Sequence, residues 1–314
     1  MRWNSTVVLL LLTIAVGAYV SLYELRQPDR ETRRRQATEV WDVPDDAARL
    51  RLAWTGRPEV VLVRDGANWR LAPGGYRADP HYVAGVLGAL RLHASRTLTP
   101  HALAEFGLAP PEASLTIDQR TLLIGRLTPV PGSRYVKLAD RPEIHVVDAA
   151  AIEAADKPAE HFRDRALLRI EPWEMRQVVW MDQDRVVKVS RNGDAWQLGE
   201  PPQPADDQAV MRWLTQWSSL PISAFVNDAA QPADRDAARL GASAQRLELT
   251  LDGGRTLTVS LGAAVPEHPE LRYAGRDDEP AQLYGVAEAD LDVLEQSSEG
   301  LEKKDAPAEA APGA

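Results

Sequence analysis

From about residue 40 onward, apolar and polar residues alternate in short runs broken by turn-forming residues, the rhythm of antiparallel strands. Leu50-Arg-Leu-Ala-Trp54 and Glu59-Val-Val-Leu-Val-Arg64 each turn one apolar face inward, and Arg246–Leu251 pairs naturally with Thr256–Leu261 across Asp252-Gly-Gly254. Asp65-Gly66 and Asn192-Gly193 predict two-residue hairpin turns with both central residues at positive φ. The period then changes from two to 3.6. Val83, Val86, Leu87 and Leu90 form one helical stripe, and Val210, Trp213, Leu214 and Trp217 form another. Asp79-Pro80 predicts a capped helix start with proline at the first helical position, and Asp206-Asp207 takes the same place in the second helix. Short terminal helices are expected from about Asp148 and Glu288. The fold class is α+β, an antiparallel sheet with helices packed against it.

The pattern occurs twice. At an offset of 127 residues Arg64, Gly66, Trp69, Leu71, Ala78, Asp79, Val83 and Leu87 meet Arg191, Gly193, Trp196, Leu198, Ala205, Asp206, Val210 and Leu214. These eight identities fall between Arg64 and Leu87, where ordinary composition gives about one or two. With small insertions, Leu122-Leu-Ile-Gly125 parallels Val259-Ser-Leu-Gly262, and Arg134-Tyr-Val parallels Arg272-Tyr-Ala. Two domain-sized copies are expected at 39–167 and 168–304.

The ends differ from this middle. Thr6 to Tyr23 carries no charge and reaches roughly 27 Å as a helix, close to a hydrocarbon core. Trp3 and Tyr23 flank it at interfacial positions. Without an Ala-x-Ala site, an uncleaved transmembrane helix at about 6–23 is expected over a signal peptide, with a charged stalk to residue 38 and lipid as its partner. Arg26, Arg30, Arg33, Arg34 and Arg35 follow the span and favour a cytoplasmic domain, but long domains translocate largely regardless of such charges. Sequence leaves sidedness open at this point. Residues 305–314, rich in Ala, Pro and Glu, read as a disordered tail.

Composition narrows the chemistry. The 314-residue chain has 36 Lys+Arg against 46 Asp+Glu, so no basic face points to nucleic acid. Its lack of cysteine excludes thiolate nucleophiles, disulfides and cysteine metal sites. The six histidines stand at no metal-ligand spacing, and neither a nucleophile elbow, a P-loop nor a dinucleotide fingerprint occurs. No catalytic, cofactor or metal residue is therefore expected. Adjacent carboxylates (Asp45-Asp46, Asp206-Asp207, Asp277-Asp278) could suggest two-carboxylate glycan hydrolysis, but neighbours on one element rarely face each other across a substrate. Asp79 and Asp206 look catalytic by their repetition until the helix starts explain them.

Four residues remain as candidate partner contacts. Trp69 and Trp196 recur after a hairpin turn and are expected to plug equivalent cores. Trp173 and Trp180 lack counterparts in the first copy and are free to contact a partner. Tyr135 and Tyr273 recur beside Arg134 and Arg272; a strand edge accounts for them, and a paired surface role is the alternative.

The span ending near Tyr23-Glu24, the run Val61-Leu-Val-Arg-Asp-Gly-Ala-Asn-Trp-Arg-Leu71, Ala78-Asp79, Phe106-Gly-Leu-Ala-Pro-Pro111 and Phe162-Arg-Asp164 together resemble the bacterial family called domain of unknown function 4340. The second copy departs from the Phe-Gly-Leu-x-Pro-Pro pattern, with Arg239-Leu-Gly-Ala, which suggests that this loop is dispensable. The resemblance implies an accessory protein of the inner membrane, single-pass with its large domain in the periplasm. It also implies partners among ABC-type transporter subunits or a gliding-motility-like auxiliary protein. It brings no catalytic residue. Non-enzymatic binding or scaffolding is the leading expectation; a glycan hydrolase and a structural membrane-to-wall tether are the alternatives.

Overall fold

The computed structural model describes residues 38–99, 102–182, 185–241 and 244–302. The expected span at 6–23, most of the stalk and the expected tail lie outside them. Among the described residues no helix is long and apolar enough to cross a membrane. The chain divides into two compact units between Asp164 and Arg165.

The first unit contains β1 (Glu39–Trp41), β2 (Arg49–Trp54), β3 (Val60–Asp65), β4 (Asn68–Ala72), β5 (Tyr76–Arg77), α1 (Pro80–Ala89), β6 (Leu92–His93), β7 (Arg96–Leu98), β8 (Ala113–Ile117), β9 (Arg120–Leu127), β10 (Ser133–Leu138), β11 (Ile144–Asp148) and α2 (Ala149–Glu153). Nine of its strands form one sheet in the order β5-β4-β3-β2-β8-β9-β10-β11-β7, with every neighbour antiparallel. β1 pairs separately with β6.

The second unit contains β12 (Met175–Asp182), β13 (Arg185–Asn192), β14 (Ala195–Leu198), β15 (Gln203–Pro204), α3 (Asp207–Ser219), β16 (Ala224–Asn227), α4 (Pro232–Ala237), β17 (Gln245–Leu251), β18 (Thr256–Val265), β19 (His268–Arg276), β20 (Leu283–Ala287) and α5 (Glu288–Ser298). Its sheet runs β15-β14-β13-β12-β17-β18-β19-β20-β16, again antiparallel throughout. The two orders are the same, strand for strand.

Alternation builds each core. Leu50, Leu52, Leu62, Leu115, Ile117 and Leu122 share one buried face in the first unit, and Trp69 closes it. Val178, Trp180, Val189, Leu247, Leu249 and Val259 do so in the second, closed by Trp196. The stripe Val210, Trp213, Leu214 and Trp217 buries α3 against that face. The Trp213 indole N–H donates to the Leu294 carbonyl at 3.0 Å, tying α3 to α5.

Both helix starts take the predicted cap. The Asp79 carboxylate accepts from the His81 and Tyr82 amides, and Asp206 from Gln208 and Ala209. The hairpin turns lie one residue later than expected. Asp65 pairs with Asn68 and Asn192 with Ala195, leaving Gly66-Ala67 and Gly193-Asp194 as the loops. Only the glycine of each loop has positive φ, 63° and 64°. That is the arrangement with glycine first, so the preceding Asp and Asn close the ladders.

Candidate functional site

The four contact candidates have different environments. Trp180 is 4% exposed and its ring lies 5.0 Å from that of Trp217. Its counterpart is Leu52: Leu52 pairs with Val60, Trp180 pairs with Val187, and Val60 and Val187 stand at the 127-residue offset. Trp180 thus fills a core position and is removed from the contact set. Trp173, on the 3-10 turn Pro172–Glu174, is 63% exposed, while its carbonyl accepts from Arg191.

Tyr135 and Tyr273 do not lie at a strand edge, because β10 and β19 are flanked on both sides. Their neighbouring arginines explain why the pair recurs. Arg134 Nε donates to the Gly125 carbonyl at 2.7 Å, and Arg272 Nε and Nη2 donate to the equivalent Gly262 carbonyl at 3.0 and 2.8 Å. Both glycines lie under a crossing segment. A Cβ would fall 2.2 Å from the Phe106 oxygen at Gly125 and 1.9 Å from the Ala238 oxygen at Gly262. The crossing segment turns through Gly107 (φ 66°) in one unit and Arg239 (φ 57°) in the other, placing Leu108 and Leu240 over those glycines. The loop that looked dispensable in the second copy is therefore kept, with an arginine in the left-handed conformation.

Other recurring or paired acids are engaged locally. Asp207 accepts from the Trp196 amide, Asp277 from the Thr258 amide, and Asp278 pairs with the buried Arg276. Asp182 and Glu295 do converge from β12 and α5, but on the side-chain amide of Gln245, which donates to them at 2.6 and 3.2 Å. Burial, and then Asp182, raise the Glu295 carboxyl above its usual range. The amide stands between the two carboxylates where a scissile bond would lie. Among the described residues, no group of three or more His, Cys, Asp or Glu side chains is placed to hold a metal.

One open surface involves a candidate residue. Tyr135 lines a groove of about 480 Å³ in the first unit, between the end strand β7 and the β9–β10 turn. Leu98, Pro129, Val130 and Val146 give it apolar walls, with Ser95, Thr128 and Ser133 as small polar contributors and Arg96 as its charged one. Tyr135 is fixed edge-on against Phe106, 4.9 Å between centroids. In the second unit Leu271 stands at the position of Ser133 and Gly285 at that of Val146, as the pairings of Tyr273 with Gly285 and Tyr135 with Val146 require. Leu271 lies over Gly285, within 3.1 Å of where a Cβ would be. Tyr273 packs with Ala230, Ala238, Leu240 and Leu283. Sequence reading reached Tyr135 through its repetition but missed the groove, which depends on the contrast of Ser133 with Leu271.

A family model described as Domain of unknown function (DUF4340) matches residues 69–229 and again 196–306, so its two placements begin at the equivalent residues Trp69 and Trp196. No curated protein and no solved structure matches.

Proposed function

We propose, since this chain belongs to the DUF4340 family, that it is a non-enzymatic accessory module of the bacterial envelope that binds or scaffolds a membrane partner. The observation that carries this reading is a division of labour among recurring side chains. Asp79, Asp206, Arg134 and Arg272 serve caps and carbonyls in both units. The groove beside Tyr135, in contrast, presents Val130 at 66% exposure. In this reading residues 6–23 anchor the chain in the inner membrane, the units stand in the periplasm, and the partner is an ABC-type transport subunit or a gliding-motility-like auxiliary protein. The glycan-hydrolase alternative is disfavoured by the Gln245 amide between Asp182 and Glu295.

Photocrosslinking from position 130 in intact membranes at native abundance tests the reading. Transport-subunit adducts are expected, and they should disappear when the crosslinker is moved to a position on the far end of the sheet, such as Arg70. Adducts with lipid alone, or none, would sink it.

A further inference from the structure

The two units complete one equivalent arginine differently. In the first, Arg134 Nη2 donates to the carboxylate of Glu112, the residue just before β8, at 2.5 Å. The other oxygen of that carboxylate lies 3.4 Å from where a Cβ at Gly107 would be. The site is therefore filled from within, and the glycine leaves room for the acid.

In the second unit the acid is missing. Ala113 pairs with Ile124 and Gln245 with Leu261, each pair beside its covered glycine, so Ala244 stands at the position of Glu112. Arg272 keeps its hold on the Gly262 carbonyl, but no carboxylate pairs with it among the described residues. Its Nη1 donates to the Gln245 Oε1 at 2.6 Å instead. Arg239 replaces Gly107 and adds a second guanidinium, exposed and without an ion-pair partner among the described residues.

The result is a pocket of about 410 Å³ lined by Arg239, Ala244, Gln245, Gly262 and Arg272, with Glu288 as the acid on its wall. Asp182 and Glu295, the nearest other carboxylates, are held by the Gln245 side-chain amide. Two guanidinium groups thus face one carboxylate in the lining. A guanidinium presents its N–H groups in a fork that matches a carboxylate, so the excess charge has a specific complement.

We propose that this pocket binds a carboxylate from another molecule between Arg272 and Arg239, in the place that Glu112 fills in the first unit. The carboxylate belongs either to an acidic side chain of a polypeptide or to a small organic acid, and the test separates these sources. The site lies in the second unit and is independent of the Tyr135 groove.

Full-length protein in mild detergent is treated with phenylglyoxal, and the modification rate of each arginine is followed by mass spectrometry. The probes are succinate and an acetylated, amidated Ala-Glu-Ala peptide, with ionic strength held constant by sodium chloride. The rate at Arg239 should fall roughly threefold with a probe at twice its dissociation constant. Exposed Arg255 should react unchanged, and the Ala-Gln-Ala peptide should protect nothing. Ala244→Glu installs the first unit's residue. Arg239 should then react slowly without any probe, and probes should add nothing; unfolding would speed the reaction instead.

Protection by the glutamate peptide at lower concentration than succinate assigns the carboxylate to a polypeptide partner; otherwise it belongs to a small acid, and either result upholds the site. No slowing at Arg239, equal slowing by the glutamine peptide or at Arg255, or undiminished probe protection in Ala244→Glu would overturn it. Failure to crosslink from position 130 would leave this result standing, because the two tests read different units.

Discussion

A methyl group added at Gly262 would sit 1.9 Å from the Ala238 carbonyl oxygen, a clash between backbone and backbone that no rotamer change relieves. Gly262→Ala should therefore lower stability by about 2–3 kcal/mol in urea denaturation. Arg239 gives the opposite expectation. Its φ of 57° is costly for a side chain, and the first unit uses Gly107 there. Arg239→Gly should raise stability by about 1 kcal/mol, and a loss of that size would contradict the left-handed assignment. Glu295 makes a pH prediction. Its folded-state pKa is raised, by burial first and by Asp182 second. The stability associated with it is thus complete below the unfolded carboxyl pKa and is lost as pH rises through the folded one. Glu295→Gln keeps an acceptor for Gln245 and removes the charge. The variant should melt above wild type at pH 7 and converge with it in acid; a constant difference across pH would refute this account. At this scale the sequence was legible where one residue has one reason, as at the Asp79 and Asp206 caps. It misled at Trp180, because a one-residue slip between neighbouring strands hid Leu52 as its counterpart.

Helix α1 has ten residues and α3 thirteen, and each starts on an aspartate whose carboxylate satisfies two otherwise unpaired amides. If capping is the whole reason for these acids, Asp79→Ala and Asp206→Ala should each cost roughly 1 kcal/mol, while serine at either position restores most of it. A serine variant as unstable as the alanine one would call for another role. The longer elements β2, β3, β17 and β18 were readable from period alone, since strands of six to ten residues with one buried face leave a clear alternation. The turns were harder. Asn192-Gly193 carries the composition of one hairpin type, but ladder closure by Asn192 and Ala195 selects another. The interior position of β10 and β19 was invisible, because it depends on β11 and β20 returning beside them, a long-range pairing that no local pattern encodes.

Each unit has its own buried cluster, one running from Val40 to Phe162 and the other from Leu167 to Leu301. Residues 165–302 expressed alone should therefore melt cooperatively and keep a near-ultraviolet signal from buried Trp213 and Trp217. A broad transition without that signal would show that the second core is incomplete by itself. The duplication was the most legible feature at this scale, because tryptophans and glycines at fixed spacing survive divergence. The groove was the least legible, because it arises from Ser133 and Val146 meeting across two strands.

The shortness of β7 has a kinetic consequence. Three residues span only about 10 Å of ladder, room for very few backbone bonds. Any chain that paired along so brief an edge would leave it quickly, since small interfaces are distinguished chiefly by rapid escape. Two such molecules side by side therefore have too little track to zip into a filament.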